Sequence, residues 1–350
     1  MNETKLKYLP NLDGLRAIAA FAVIVAHFFK VKTLVDFPIL STIAQQGHSG
    51  VSLFFVLSGF VITRILLQSV NENNYFKNFY GRRTLRIFPL YYFALICYNY
   101  IPYLMNTEPL EPFNKRWYHY LYLQNFARTF NWDFEGPGHF WSLAVEEHFY
   151  LIWPALVYLA FTKNKNRLLL VSGVLVVFSF VLRYVMLKDG YEINVFTFTR
   201  LDQLALGCIL AILEFKGVLI KKNNWIFLSL IFIGFVTVAL CGKLDYFNLN
   251  LFKHNAYGCL YFGIIAICIS NQTKTWYNWF LTSTIVQYLG KVSYGIYVWH
   301  ILAILFVKTY LVSINLIVDF VIVCIITVIM ATISFYLIEK KFLKLKKYFH

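Results

Sequence analysis

Apolar residues in this chain come in long blocks rather than in alternation, and polar residues gather between the blocks. Ten blocks are each near the about 20 residues that cross a bilayer as a helix. They fall at 12–30, 50–68, 87–105, 139–161, 167–186, 195–213, 224–241, 254–270, 291–310 and 317–338. A further stretch, 275–289, is short and aromatic and reads as an interfacial segment leading into the ninth span. The longest gap, 106–138, mixes Pro, Glu, Asn and aromatics; it suits a cap over a site or a re-entrant interfacial segment. The pattern predicts an all-α polytopic membrane protein, a bundle of about ten transmembrane helices forming one domain over 1–350. No internal repeat stands out, and the first block carries Arg16 and His27, unlike a cleaved signal peptide.

Composition strengthens this picture. Hydrophobic residues make up 59% and charged residues 14% of the chain, against about 45–50% and about 25% in soluble domains. A soluble globular domain, a disordered chain and a disulfide-stapled fold are excluded. Net charge is +15. In a soluble protein that excess would suggest nucleic acid; here the basic residues sit between apolar runs, so it reads as orientation and no nucleic-acid partner is expected. With the N-terminus inside, 20 of the 32 Lys and Arg fall on inside segments and 8 outside. The bias predicts both termini in the cytoplasm. The six cysteines lie in or beside apolar runs without a CxxC pair, so they read as small buried hydrophobes, and no metal is expected.

An ionisable side chain inside a membrane calls for a reason. In LDGLRAIAAFAVIVAHFF, Arg16 and His27 are eleven positions apart, which returns to one helix face about 16 Å further along the axis. Singly, each is as readily an interface anchor or a packed histidine. Arg82, Arg83 and Arg86 precede Pro89 at the start of the third span; they read as a phosphate clamp or as a positive-inside stop. In HFWSLAVEEHFYLIWP, His139, Ser142 and Glu146 form a polar stripe. Glu146 shares it, so Glu146 is expected to be functional and Glu147 structural. Ser293, Tyr297 and His300 repeat such a stripe in the ninth span. Arg200 and Asp202 are expected to neutralise each other or a partner, and Glu339, beside five lysines, to be a solvated charge.

Taken in order, NLDGLRAIAAFAVIVAHFF, GVSLFFVLSGFVIT, RRTLRIFPLYY, HFWSLAVEEHFYLIWP, TRLDQLALG, GKVSYGIYVWH and SFYLIEKKF resemble the acyltransferase-3 family of integral-membrane O-acyltransferases. Arg16 and His27 match its Arg-ten-His pattern, and Arg83 and Arg86 its Arg-x-x-Arg pattern. His148 stands where members often have Gln, and Lys341 where Pro often precedes Phe. The resemblance implies transfer of an acyl group, acetyl by default, from cytoplasmic acyl-CoA to a hydroxyl of a cell-surface glycan or a lipid-linked sugar precursor. It places the protein in a bacterial cytoplasmic membrane as a multi-pass protein among membrane lipid. Some members carry a fused extracytoplasmic domain; none is expected in this chain.

On this reading Arg83, Arg86 and Arg82 bind coenzyme A phosphates and Arg16 lines the entrance. His27 acts as general base or as acyl-accepting nucleophile, with Glu146 or His139 orienting it. Ser142, Arg200, Tyr297 and His300 serve the acceptor side or a developing oxyanion, and Trp141 and Trp299 stack on a sugar. The alternatives are a secondary transporter or a non-catalytic polysaccharide export or assembly partner, either of which would also line a membrane cavity with ionisable residues.

Overall fold

The computed structural model of the chain describes residues 8–31, 44, 46–163, 165–219, 224–241, 244–270, 275–311 and 315–349. Among the described residues there are helices and no strand. Each expected span coincides with a long helix: α1 (Pro10–Val31), α2 (Gly50–Ser69), α3 (Tyr75–Leu104), α4 (Trp141–Lys163), α5 (Lys165–Lys188), α6 (Thr197–Phe215), α7 (Asn224–Cys241) and α8 (Tyr246–Ser270). The short α9 (Thr284–Lys291), the α10 (Ser293–Tyr310) and α11 (Leu316–Ser334) helices complete the set. Seven helices are long and apolar enough to cross a membrane, and α9 with α10, bent by 74° at their break, make an eighth candidate. The protein is thus a multi-pass membrane protein. The two long helices that do not qualify are α4, with Glu146, Glu147 and His148, and α6, with Arg200, Asp202 and Glu214. Of α6, thirteen residues are buried, Arg200 and Asp202 among them. These two helices bring ionisable groups into the interior of the bundle, as expected where lipid surrounds the fold.

Close helix packing holds this interior. A Cβ on Gly59 would lie 1.9 Å from the Leu204 carbonyl oxygen, and one on Gly207 would lie 2.1 Å from that of Val56. The α2 and α6 backbones therefore touch, the small-residue packing that membrane helices use in place of a hydrophobic driving force. Arg64 of α2 reaches Glu214 of α6 at 2.8 Å beyond the crossing.

Two expectations change, and a third takes one of its two courses. Helix α3 begins at Tyr75, so the three arginines are helical and Pro89 sits inside a continuous helix. Asp202, expected to be neutralised by Arg200 or by a partner, takes a partner, Arg183, at 2.8 Å, both fully buried. Glu339 is not solvated. It ends a π-helical turn, Phe335–Glu339, and is 2% exposed. Lys5, Lys7, Lys32, Lys221, Lys222, Lys243 and Lys274, part of the charge asymmetry, lie outside the described residues.

The 106–138 segment folds as a cap built on buried polar groups. Gln124 donates to the Phe140 carbonyl at 2.8 Å, Asn125 to the Thr197 hydroxyl at 2.5 Å, and the Tyr91 hydroxyl to the His119 carbonyl at 2.7 Å. These bonds tie the segment across α3, the start of α4 and the start of α6. Burial pushes the His119 imidazole down from 6.5 to about 4, so the cap holds it neutral.

Candidate active site

Two clusters of ionisable side chains lie on either side of one hydroxyl pair, Ser142 and Tyr297, whose oxygens are 2.5 Å apart. On one side is a cavity of about 110 Å³ whose walls carry Arg16, Arg83, Arg86, Ser58, Glu146 and Glu147, with Ser142 and Tyr297 among the lining residues. Arg83 and Arg86 share a face of α3, three residues apart, and Ser142 and Glu146 share a face of α4, four apart. Glu146 accepts from the Ser58 hydroxyl at 2.7 Å and from Tyr150 at 2.8 Å. The Arg83 guanidinium lies 4.0 Å from the Tyr150 ring centre, and its Nε has no partner. Arg16 pairs with Asp13 at 2.5 Å. No carboxylate lies within ion-pair distance of Arg83 or Arg86 among the described residues.

On the other side four imidazoles converge. His27 is 4.9 Å from His300, 5.1 Å from His48 and 6.5 Å from His139, centre to centre, and His139 is 4.9 Å from His300. Hydrogen bonds order their protons. His300 Nδ1 lies 2.6 Å from the Tyr297 carbonyl, so it must donate there, and His300 Nε2 is left as an acceptor. His27 Nδ1, 3.0 Å from that Nε2 and 3.1 Å from the Val23 carbonyl, is then a donor. The His27 lone pair therefore falls on Nε2. The Tyr297 hydroxyl donates to the His139 carbonyl at 2.7 Å, tying the partition to both sides.

A profile of the acyltransferase-3 family, described as an acyltransferase domain, matches residues 9–338, which include every residue of both clusters. The chain belongs to the acyltransferase-3 family. Among relatives of this chain are the peptidoglycan O-acetyltransferase OatA of Listeria monocytogenes, 30% identical over 324 residues (84% of this chain and 49% of the relative), and the O-acetyltransferase OatA of Staphylococcus aureus, 29% identical over 360 residues (95% and 57%). The chain thus spans about half the length of these relatives. No solved structure matches it.

Set against its sequence, the fold keeps most of the candidate residues together and moves several. Arg16, Arg83, Arg86, Glu146, Ser142 and Tyr297 share the cavity; Glu147, taken as structural, lines it too, with its Oε1 unpartnered. Arg82 does not join them, because its Nε donates to the Phe349 carbonyl at 2.6 Å. His27 and His139 are not among the lining residues of the cavity; His139 lies 5.7 Å and His300 5.6 Å from the ring of Tyr297, which does line it. Trp299 is a packing residue: it is 3% exposed and donates to Ser334 at 2.9 Å. Trp141 lies 5.5 Å from the Arg200 guanidinium, which also approaches Phe55 and bonds to His254, Ser52 and Gln203. His148 bonds to Thr197 at 2.7 Å in an apolar pocket away from the arginines. Sequence reading passed over His48 and His254. His48 lies in a single 3-10 turn and His254 in a span judged only by its apolar content, so no stripe marked either.

Proposed function

We propose that the protein is a membrane O-acetyltransferase that takes an acyl group from acyl-CoA at its arginine side and delivers it to a hydroxyl of a cell-surface carbohydrate or its lipid-linked precursor. The observation that carries this is the order of groups: guanidiniums lacking a close carboxylate, then a paired hydroxyl partition, then a histidine with its basic nitrogen set. Phosphates of the donor supply the anions that Arg83 and Arg86 lack, through charge-assisted hydrogen bonds. The arginine side faces the cytoplasm on this reading, in a bundle of about ten spans with both termini inside.

For transfer, the Ser142–Tyr297 pair has to part, so that the thioester reaches His27. The acceptor oxygen attacks the thioester carbonyl while its proton passes to His27 Nε2; the tetrahedral adduct collapses, the C–S bond breaks, and the thiolate takes the proton. Alternatively His27 Nε2 attacks first, the thiolate leaves, and the acyl-imidazole is then attacked by the sugar hydroxyl. In both routes His300 holds the Nδ1–H of His27. Once parted, the Ser142 and Tyr297 hydroxyls can donate to the oxyanion.

The test is covalent. The protein in sealed proteoliposomes receives acetyl-CoA labelled on the acetyl group together with glycan fragments, and mass spectrometry reads the products inside and outside the vesicles. Label fixed as an ester on the glycan is the expected result. Acetyl-CoA or glycan that only crosses the bilayer, or no chemical change in either, overturns the proposal in favour of a transporter or an assembly partner.

A further inference from the structure

A second cavity, of about 580 Å³, opens between the C-terminal turns of α3 and the 106–138 cap. Its wall carries Arg116, which is 7% exposed. A guanidinium has five N–H donors, and burying one is costly unless an anion or several acceptors meet it. Here the one hydrogen bond of the group among the described residues is a long one, from Nη1 to the Tyr98 carbonyl at 3.4 Å, and Nε has none. Glu111, on the same wall, is engaged by Lys115 at 3.2 Å. A second unsatisfied group is on the same wall: among the described residues the buried Asn99 amide oxygen has no partner. The rim adds Tyr100 and Phe113, 49% and 65% exposed, flat rings of the kind that stack on sugars.

We propose that this cavity binds an anionic saccharide, with a phosphate or carboxylate on Arg116, a hydroxyl on Asn99 and a ring face against Tyr100 or Phe113. Its volume falls within the roughly 300–1,000 Å³ of small-molecule sites. Its place in the fold gives the ligand a use. Tyr98, whose carbonyl meets Arg116, carries a hydroxyl 3.4 Å from His139 Nε2, so one residue separates this cavity from the histidine cluster. Binding stands by itself; that the saccharide is the acceptor rests on the function proposed above.

The full chain in phosphatidylcholine nanodiscs is titrated with glucose 6-phosphate, glucuronic acid, glucose and inorganic phosphate, and binding is read by calorimetry. The two acidic sugars should bind saturably and glucose at least tenfold more weakly. Arg116→Gln should weaken acidic-sugar binding at least tenfold. Asn99→Asp, which sets a carboxylate on the wall without touching Arg116, should do the same if the arginine variant does not fold. Equal binding of glucose and glucose 6-phosphate overturns the inference, as does unchanged binding in both variants. So does inorganic phosphate binding as tightly as the sugar phosphate, or phosphatidylglycerol in the nanodisc displacing the sugars, which would make the cavity a lipid-headgroup site. Labelled acetyl-CoA turnover is followed in parallel: turnover without saccharide binding overturns this inference alone, and binding without turnover supports it while removing the proposed function.

Discussion

The arginine side and the histidine side of the Ser142–Tyr297 pair solve the cost of polar groups in a membrane by opposite means. Around the cavity the charges are formal and incompletely matched: of the three guanidiniums only Arg16 has a carboxylate at ion-pair distance among the described residues. Such a cluster is stable enough to fold but gains when an anion arrives. Across the partition the groups are imidazoles, and His27, His139 and His300 bond to one another or to helix carbonyls. Neutral rings avoid most of the burial penalty, and their mutual bonds fix which nitrogen is basic. The first side is arranged to receive a ligand, the second to keep one geometry.

That contrast can be broken most directly at its histidine end. His27→Ala should lower acetyl transfer roughly 10²–10⁴-fold, the range for loss of a proton-transferring group, while size-exclusion profile and thermal unfolding stay those of the parent. Transfer at the parental rate would remove His27 from the chemistry. At the arginine end, Arg83→Ala with Arg86→Ala should raise the KM for acetyl-CoA about 10–100-fold, as expected for lost hydrogen bonds to a charged group, with the acceptor KM little changed. Equal effects on both substrates would mean that the arginines serve only to hold Glu146 and Glu147. His300 sharpens the comparison. His300→Gln keeps an acceptor opposite His27 Nδ1, whereas His300→Leu does not; kcat should fall about tenfold in the leucine variant, the scale of one hydrogen bond, and recover in the glutamine variant. Similar kcat in the two would mean the ring only fills space. The smallest effect lies in the cap. His119 titrates lower folded than unfolded, so its burial favours the folded cap fully above pH 6.5, and that contribution is lost as pH falls towards about 4. Amide protection factors across 117–129, with the intrinsic pH dependence of exchange divided out, should fall between pH 7 and pH 5, and His119→Gln should flatten that dependence.

Long apolar runs made the helices legible, because in lipid each backbone polar group must bond within its own segment. The run 224–241 matches α7 end to end. Where charge begins a helix, the apolar count fails: α3 starts at Tyr75, twelve residues before the expected span at 87–105, so its arginine turn fell outside that span. Single-helix stripes found Arg83 with Arg86 and Ser142 with Glu146, since those spacings are properties of one helix. They could not find the partnership of His27 with His300, which joins α1 to α10 over 273 positions, nor the choice of Arg183 by Asp202. Glu339 was misplaced for a local reason: the reading followed its five lysine neighbours, whereas the helix passes through a π turn, Phe335–Glu339, in which Glu339 itself is buried.

The Ser142–Tyr297 contact also bears on the cell that houses the protein. A continuous wet path from guanidiniums to imidazoles would conduct hydrogen ions, and a membrane that stores energy as an electrochemical gradient cannot hold one open. Under the proposed function the two bonded hydroxyls would have to part for an acyl group and close again behind it, so leak-tightness and group transfer would depend on the same few atoms.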